Sequence, residues 1–202
     1  MYKKFGKRLI DLVLSACGIL VLSPILLILV IAIKLDSPGP VLYKAVRGGY
    51  KNKPFYIMKF RTMVVGADKS GGCTAKDDPR VTRSGRIMRR LKLDELPQLF
   101  NILAGHMAIV GPRPALWNQF DLIAERDRYG ANDIRPGLTG WAQINGRDEL
   151  EIDVKARYDG EYVQRMSLAF DTRCILGTVT AVLRRDGVVE GGTGAVKMKN
   201  EE

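Results

Sequence analysis

"LVLSACGILVLSPILLILVIAI", Leu12 to Ile33, is the stretch on which the fold turns, because its 22 residues carry no charged side chain. As a helix it rises about 33 Å, enough to cross the hydrocarbon core of a bilayer. It is apolar on every face, unlike a helix that buries a single stripe in a soluble core. Lys34 closes it and no small-x-small cleavage site follows, so it does not read as a secretory leader.

The flanks argue against a simple span. Lys3, Lys4, Lys7 and Arg8 precede the stretch and Lys34, Lys44 and Arg47 follow it, so the positive-inside tendency draws both ends to the cytoplasmic face. Ser23 and Pro24 sit near its middle, where proline removes a backbone donor and bends a helix. These residues predict a re-entrant helical hairpin kinked at Ser23-Pro24 that dips into one leaflet and returns. A kinked single span also satisfies them, since prolines are common in membrane helices, and the residues alone leave both open. The expected organisation is a membrane anchor over 1–35, a catalytic body over 36–186 and a flexible, glycine-containing tail over 187–202.

Composition narrows the partners. The chain has 202 residues, 32 Lys+Arg against 22 Asp+Glu and a formal net charge of +10, which attracts nucleic acid, anionic lipid or phosphorylated small molecules. Cys17, Cys73 and Cys174 are widely spaced with no Cys-x-x-Cys pair, so neither a disulfide framework nor a zinc site is indicated, and a reducing compartment fits. His106 is the one histidine, which excludes a metal site built on several imidazoles. No Gly-x-x-x-x-Gly-Lys-[Ser/Thr] loop is present, which excludes a P-loop enzyme, and no nucleic-acid-binding motif is recognisable. Carboxylates and cations are left to do any chemistry.

The expected fold class is α+β and mostly helical, with the membrane hairpin, amphipathic interfacial helices and a small β-hairpin. "VLYKAV" (41–46) and "FYIMKFRTM" (55–63) read as two strands around the Gly48-Gly49 turn. Strand alternation places Lys59 and Arg61 on one face, where both could meet an anion or stand as an exposed basic face. Residues 66–79, "GADKSGGCTAKDDP", read as a mobile loop. "SGRIMRRLKL" (84–93) mixes apolar residues with Arg86, Arg89, Arg90 and Lys92, a pattern suited to an anionic membrane surface or a solvated helix face.

Then comes an acidic pair in this cationic setting, Asp94 and Glu95, with Pro97 marking the start of another helix. Acidic residues at a helix start commonly cap free amides. Here arginines flank them, and two ionised carboxylates beside phosphate-binding cations suit Mg²⁺, or one of them can act as a nucleophile toward phosphorus. "VGPRP" (110–114) fixes Arg113 between two prolines, and "RPGLTGWAQINGR" (135–147) presents Arg135, Gln143 and Arg147 on a tight scaffold. Arginine forks suit bidentate phosphate recognition. "CILGTVTAVLRR" (174–185) places Ile175, Leu176, Val179, Val182 and Leu183 on one helical face, to pack on the core or the membrane surface.

"KFRTM", "LDELPQLFNIL", "VGPRP" and "RPGLTGWAQINGR", in this order after a membrane segment with Ser-Pro, resemble the bacterial monotopic phosphoglycosyl transferases, the initiating sugar transferases of glycoconjugate and exopolysaccharide assembly. The resemblance runs from about Tyr2 to Arg185 and is to the minimal catalytic form, without further spanning helices. It implies transfer of a sugar 1-phosphate from a UDP-sugar to a polyprenol phosphate (undecaprenyl phosphate), release of UMP and dependence on Mg²⁺, at the bacterial inner membrane with the catalytic face toward the cytoplasm. It further implies Asp94 as nucleophile and Glu95 as metal support, Lys59, Arg89 and Arg113 near phosphate or nucleotide, and Asp159 and Asp171 as acidic residues near the site. Capping or surface pairing is the plainer role for those last two. Relatives commonly carry Ser where this chain has Lys92, and Gly-Asp-Met-Ser where it has Gly105, His106, Met107 and Ala108. A membrane-tethered basic module that binds anionic lipid or nucleic acid, and a hydrolase that needs no lipid acceptor, are the competing functions.

Overall fold

A computed structural model describes residues 2–67, 78–146 and 150–184, the side chains of residues 4 and 182–184 excepted. Arg147, Cys73, most of the 66–79 loop, and the 187–202 tail lie outside the described residues, as do the side chains of Val182 and Leu183.

After a short turn of wide helix at Tyr2–Gly6, one helix, α1 (Lys7–Asp36), runs for 30 residues. It passes through Pro24 without a break, so the expected hairpin of two helical arms is observed as one continuous element. Pro24 leaves the Leu20 carbonyl without its usual N–H partner. The Ser23 hydroxyl donates to that carbonyl at 2.8 Å, so the group is satisfied inside the helix, as a lipid environment requires. Most of the helix surface is apolar and exposed, including Leu20, Val21, Leu27, Ile28 and Leu35. By length and composition it could cross a membrane.

A single stripe of α1 packs on the body. Asp11, Ser15, Leu29 and Ile33 are buried, and Ile19, Leu22, Leu26 and Val30 contact the core at helical spacing. Along that stripe α1 is packed on the body, while the rest of its surface is exposed.

β1 (Leu42–Gly48) and β2 (Pro54–Phe60) form the predicted antiparallel hairpin, with Ala45 opposite Ile57 and Tyr43 opposite Lys59. A short 3₁₀ turn, Tyr50–Asn52, joins them. The basic segment forms α2 (Arg83–Arg90), capped by the Thr82 side chain, which accepts from the Gly85 amide at 3.0 Å. The acidic pair occupies a 3₁₀ turn, Leu93–Glu95, just ahead of α3 (Gln98–Leu103), which begins immediately after Pro97.

The remaining elements are β3 (Ala108–Val110), α4 (Phe120–Asp127), β4 (Gly137–Thr139), α5 (Trp141–Ile144), α6 (Ile152–Arg165) and α7 (Leu168–Arg184). β3 and β4 pair in parallel, Ala108 opposite Gly137 and Val110 opposite Thr139. That ladder explains two glycines, because a Cβ on Gly137 would collide with the Gly111 backbone and one on Gly111 with the Arg135 carbonyl. The "VGPRP" and "RPGLTG" segments are thus the two sides of one backbone contact.

The core has three main parts. Phe55, Ile57, Leu99, Ile102 and Met107 join the hairpin to α3. Leu29, Ile33, Phe60 and Met88 join α1 to α2. Val110, Trp141, Tyr162, Met166, Phe170 and Cys174 hold α5, α6 and α7 on β3. On α7, Leu176 and Val179 are exposed rather than packed into this core.

Candidate active site

Asp94 and Glu95 are both buried, at 7% and 8% exposure, although they lie in a short polar turn. The chain enters that turn through Lys92 in the left-handed region at φ 57°, a conformation that costs a non-glycine residue about 1 kcal/mol and redirects the backbone between α2 and α3. Glu95 is held from two sides. Lys59 Nζ donates to its Oε1 at 2.9 Å and Arg113 Nη2 donates to the same oxygen at 3.3 Å. Lys59 comes from β2 and Arg113 from the loop after β3, so three separate segments meet at one carboxylate.

The register of this meeting is set by Asn101, a buried residue of α3. Its side-chain oxygen accepts from the Met58 amide at 2.9 Å and its nitrogen donates to the Tyr56 carbonyl at 2.8 Å. One amide side chain thus takes the place of a neighbouring strand on the free edge of β2 and fixes α3 beside Lys59.

Arg113 is positioned through its backbone. Arg126 Nη1 donates to the Arg113 carbonyl at 2.9 Å. The other two guanidinium nitrogens of Arg126 meet Asp159, Nε at 2.8 Å and Nη2 at 2.6 Å. Burial pushes the Asp159 carboxyl above the ordinary aspartate range, and the Arg126 charge opposes that shift. Asp159 is therefore a support behind Arg113.

Arg47, which the sequence presents only as a flanking charge, stands close to the same group. Its strand pairs with Leu116, just beyond the "VGPRP" loop, and the Gly48 amide donates to the Ala115 carbonyl at 3.0 Å. Burial and the neighbouring Arg113 guanidinium lower its pKa from the ordinary arginine value, while Tyr43 and Glu95 act in the other direction. The two guanidinium groups are near enough for each charge to disfavour the other, a repulsion that an anion beside them would relieve.

Arg89 extends from α2 and donates through Nε to Thr62 Oγ1 at 2.8 Å. Thr62 lies three residues beyond Lys59, so α2 is tied to the end of the strand that carries the lysine.

Other expected residues lie elsewhere. Arg61 is buried and donates to the carbonyls of Pro38 and Ser37 at 2.5 and 2.8 Å, closing the chain after α1 rather than facing an anion beside Lys59. Arg135 donates to the Gly105 carbonyl at 2.9 Å, and Gln143 to the Leu138 carbonyl at 3.0 Å. Both bond to backbone carbonyls, Arg135 to one 30 residues away and Gln143 to one five residues away. Asp171 accepts from Tyr2 at 2.5 Å, Lys7 at 2.8 Å and Tyr162 at 2.7 Å, so it anchors the start of α1.

Among the described residues no group of three or more His, Cys, Asp or Glu side chains is arranged to enclose a metal. The donor set at 94–95 is two carboxylates, which fits a hard cation that completes its shell with water and phosphate oxygens.

The motifs that build this site also relate the chain to known proteins. Residues 2–185 match the family model described as bacterial sugar transferase. The chain is 39% identical over 182 residues to the "Uncharacterized sugar transferase EpsL" of Bacillus subtilis, covering 90% of this chain and 89% of the relative. It is 44% identical over 195 residues to the "Exopolysaccharide production protein PSS" of Rhizobium leguminosarum, covering 89% and 96%. It is 40% identical over 187 residues to the "UDP-glucose:undecaprenyl-phosphate glucose-1-phosphate transferase" of Escherichia coli, covering 86% of this chain but 39% of that longer relative. With the match running from the start of α1 through α7, the chain belongs to the bacterial sugar transferase family of phosphoglycosyl transferases.

Proposed function

We propose that the protein transfers a sugar 1-phosphate from a UDP-sugar to a polyprenol phosphate at the membrane surface, with release of UMP. The observation that carries this reading is the buried Asp94-Glu95 turn, where Glu95 Oε1 receives both Lys59 and Arg113. The names of relatives give the donor and acceptor classes, UDP-glucose and undecaprenyl phosphate among them.

Asp94 is the nucleophile. A carboxylate oxygen attacks the β-phosphorus of the UDP-sugar, and the bond from that phosphorus to the bridging oxygen breaks. UMP leaves with the electron pair, and the sugar phosphate is held on Asp94 as an acyl phosphate. An oxygen of the polyprenol phosphate then attacks the same phosphorus, expels the carboxylate and forms the lipid diphosphate sugar. Both reactants are anions, so cations fixed beforehand reduce their repulsion and stabilise charge on the transferring group. Arg113, Arg47, Lys59 and Arg89 supply those charges.

Glu95 keeps Lys59 and Arg113 in place and, with Asp94, would hold Mg²⁺. Bound there, the ion neutralises charge on the donor diphosphate. Replacement of Mg²⁺ by EDTA-treated buffer is expected to abolish turnover and its return to restore it.

The anchor is re-entrant in this reading. The bend it requires is assigned to Ser23-Pro24, where the Leu20 carbonyl has no backbone N–H partner, and the basic flanks favour both ends on the cytoplasmic face of the bacterial inner membrane. This places the acidic turn at headgroup depth, where the acceptor phosphate emerges while its tail stays in lipid. The test is UMP release from a panel of UDP-sugars with undecaprenyl phosphate in lipid discs. Turnover that needs both the lipid acceptor and Asp94 supports transfer, whereas hydrolysis without acceptor contradicts it.

A further inference from the structure

We propose that Arg126 is a positioning residue for Arg113, and that the buried Arg126–Asp159 pair exists to aim the Arg113 guanidinium at the reaction site. The inference rests on the transferase reading for its kinetic consequence but stands on geometry of its own. Arg126 is 3% exposed and Asp159 1%, so the pair is inside the protein, where two charges cost more to desolvate than a surface pair does. Replacing such a pair by apolar residues is often neutral or stabilising, so stability alone does not account for it. What an apolar pair cannot do is hold a backbone carbonyl.

All three kinds of guanidinium nitrogen are used. Nε and Nη2 grip Asp159, which fixes the plane of the fork, and Nη1 is left pointing at the Arg113 carbonyl, 2.9 Å away. Asp159 is on α6 and Arg126 on α4, so the fork transmits the packing of two helices to one loop residue. That loop residue lies between Pro112 and Pro114, which restrict its backbone, and the Pro112 carbonyl accepts from the Gly137 amide at 2.8 Å. With both peptide neighbours held, the side chain of Arg113 leaves the backbone in one direction and meets Glu95. A lysine at 126 would keep a positive charge opposite Asp159 but lacks the planar fork that serves carboxylate and carbonyl together.

The test is a double-mutant cycle on the full chain in lipid discs, using the UDP-sugar that gives the fastest UMP release. Arg126→Lys is expected to lower kcat/KM about tenfold, the size of a lost contact to a charged group, chiefly through KM for the donor. In the Arg113→Ala background the same change is expected to have no further effect. A second tenfold loss in that background overturns the proposal, because Arg126 would then act by another route. Should Arg126→Lys fail to give a cooperative thermal transition, Arg126→Met with Asp159→Leu replaces it in the same cycle. A crystal structure of that double variant decides the positioning claim apart from the reaction. Arg113 displaced from Glu95 supports it, and Arg113 still within hydrogen-bond reach of Glu95 Oε1 overturns it, even if the wild-type chain releases no UMP from any donor.

Discussion

Lys59 Nζ and Glu95 Oε1 stand 2.9 Å apart, joining the end of a hairpin strand to a turn 36 residues further along the chain. Both side chains are largely shielded, with side-chain exposures of 22% and 11%, so the pair is screened less by solvent than a surface bridge. Neither residue is close in sequence to the third member, Arg113, and the three assemble only because α3 and β3 pack beside β2.

Removal of the lysine should damage chemistry more than folding. Lys59→Ala is expected to reduce kcat/KM by roughly two orders of magnitude, the size found when one fixed donor to a reacting oxyanion is lost. Glu95→Gln removes the charge that gathers Lys59 and Arg113 and should lower activity similarly. UMP release at several donor concentrations, with thermal unfolding as a control, measures both. Activity within twofold of wild type in Lys59→Ala would contradict the assigned role.

Tyr162 tests the packing of α6 on β3. Its hydroxyl is buried and contacts the Val110 carbonyl at 3.1 Å and Asp171 at 2.7 Å. Burial and then the neighbouring Asp171 raise its pKa, so it remains a neutral donor. Tyr162→Phe removes the single O–H shared between those two acceptors and is expected to cost about 1–3 kcal/mol of stability. Denaturation in a fixed detergent checks this, and an unchanged midpoint would show the network to be dispensable.

The clip at the base of the 68–77 segment carries an acid dependence. Arg80 holds Asp78 by a two-nitrogen contact and also donates to the Ala67 carbonyl at 2.8 Å. The Arg80 side chain, followed by its amide, lowers the Asp78 pKa from 3.8 to about 2. Because the folded value is depressed, the stabilisation is present above pH 3.8 and is lost as pH falls toward about 2. Carboxyl carbon shifts of Asp78 followed by NMR should give a midpoint near 2, and a midpoint at the ordinary aspartate value would remove the clip from the account.

Topology is open to chemical labelling. In a background without Cys17, Cys73 and Cys174, single cysteines at Lys3 and Lys34 flank the apolar helix. A re-entrant anchor predicts that an impermeant maleimide labels both from the cytoplasmic side of inverted vesicles. Labelling of the two from opposite sides would establish a spanning helix.

Much of this arrangement was legible in the residues. The Gly48-Gly49 turn between alternating segments gave the hairpin, Pro97 gave the start of α3, and the 12–33 stretch gave the long apolar helix α1. Lys59 was marked only as a cation near phosphate, and its contact with Glu95 at 2.9 Å was not legible. What could not be read was any contact set by tertiary packing. Arg61 shares a strand pattern with Lys59 but lies beyond the end of β2, where the carbonyls of Ser37 and Pro38 are nearer than any anion. Arg126 sits in an ordinary helical segment, "FDLIAERD", and only the crossing of α4 and α6 brings it to Asp159. Arg47 likewise becomes a site residue through the bridge of its strand to Leu116. The two prolines around Arg113 showed that its backbone is restrained, but not that Arg126 holds its carbonyl.

The most direct measurement of the central claim is mass spectrometry of the chain after incubation with a UDP-sugar and Mg²⁺ in the absence of lipid acceptor. The account predicts a stoichiometric burst of UMP and a sugar phosphate adduct on the peptide containing Asp94, both lost in Asp94→Asn and the adduct discharged by undecaprenyl phosphate. Acceptor-dependent turnover without a burst or an adduct, or turnover that survives Asp94→Asn, would contradict it.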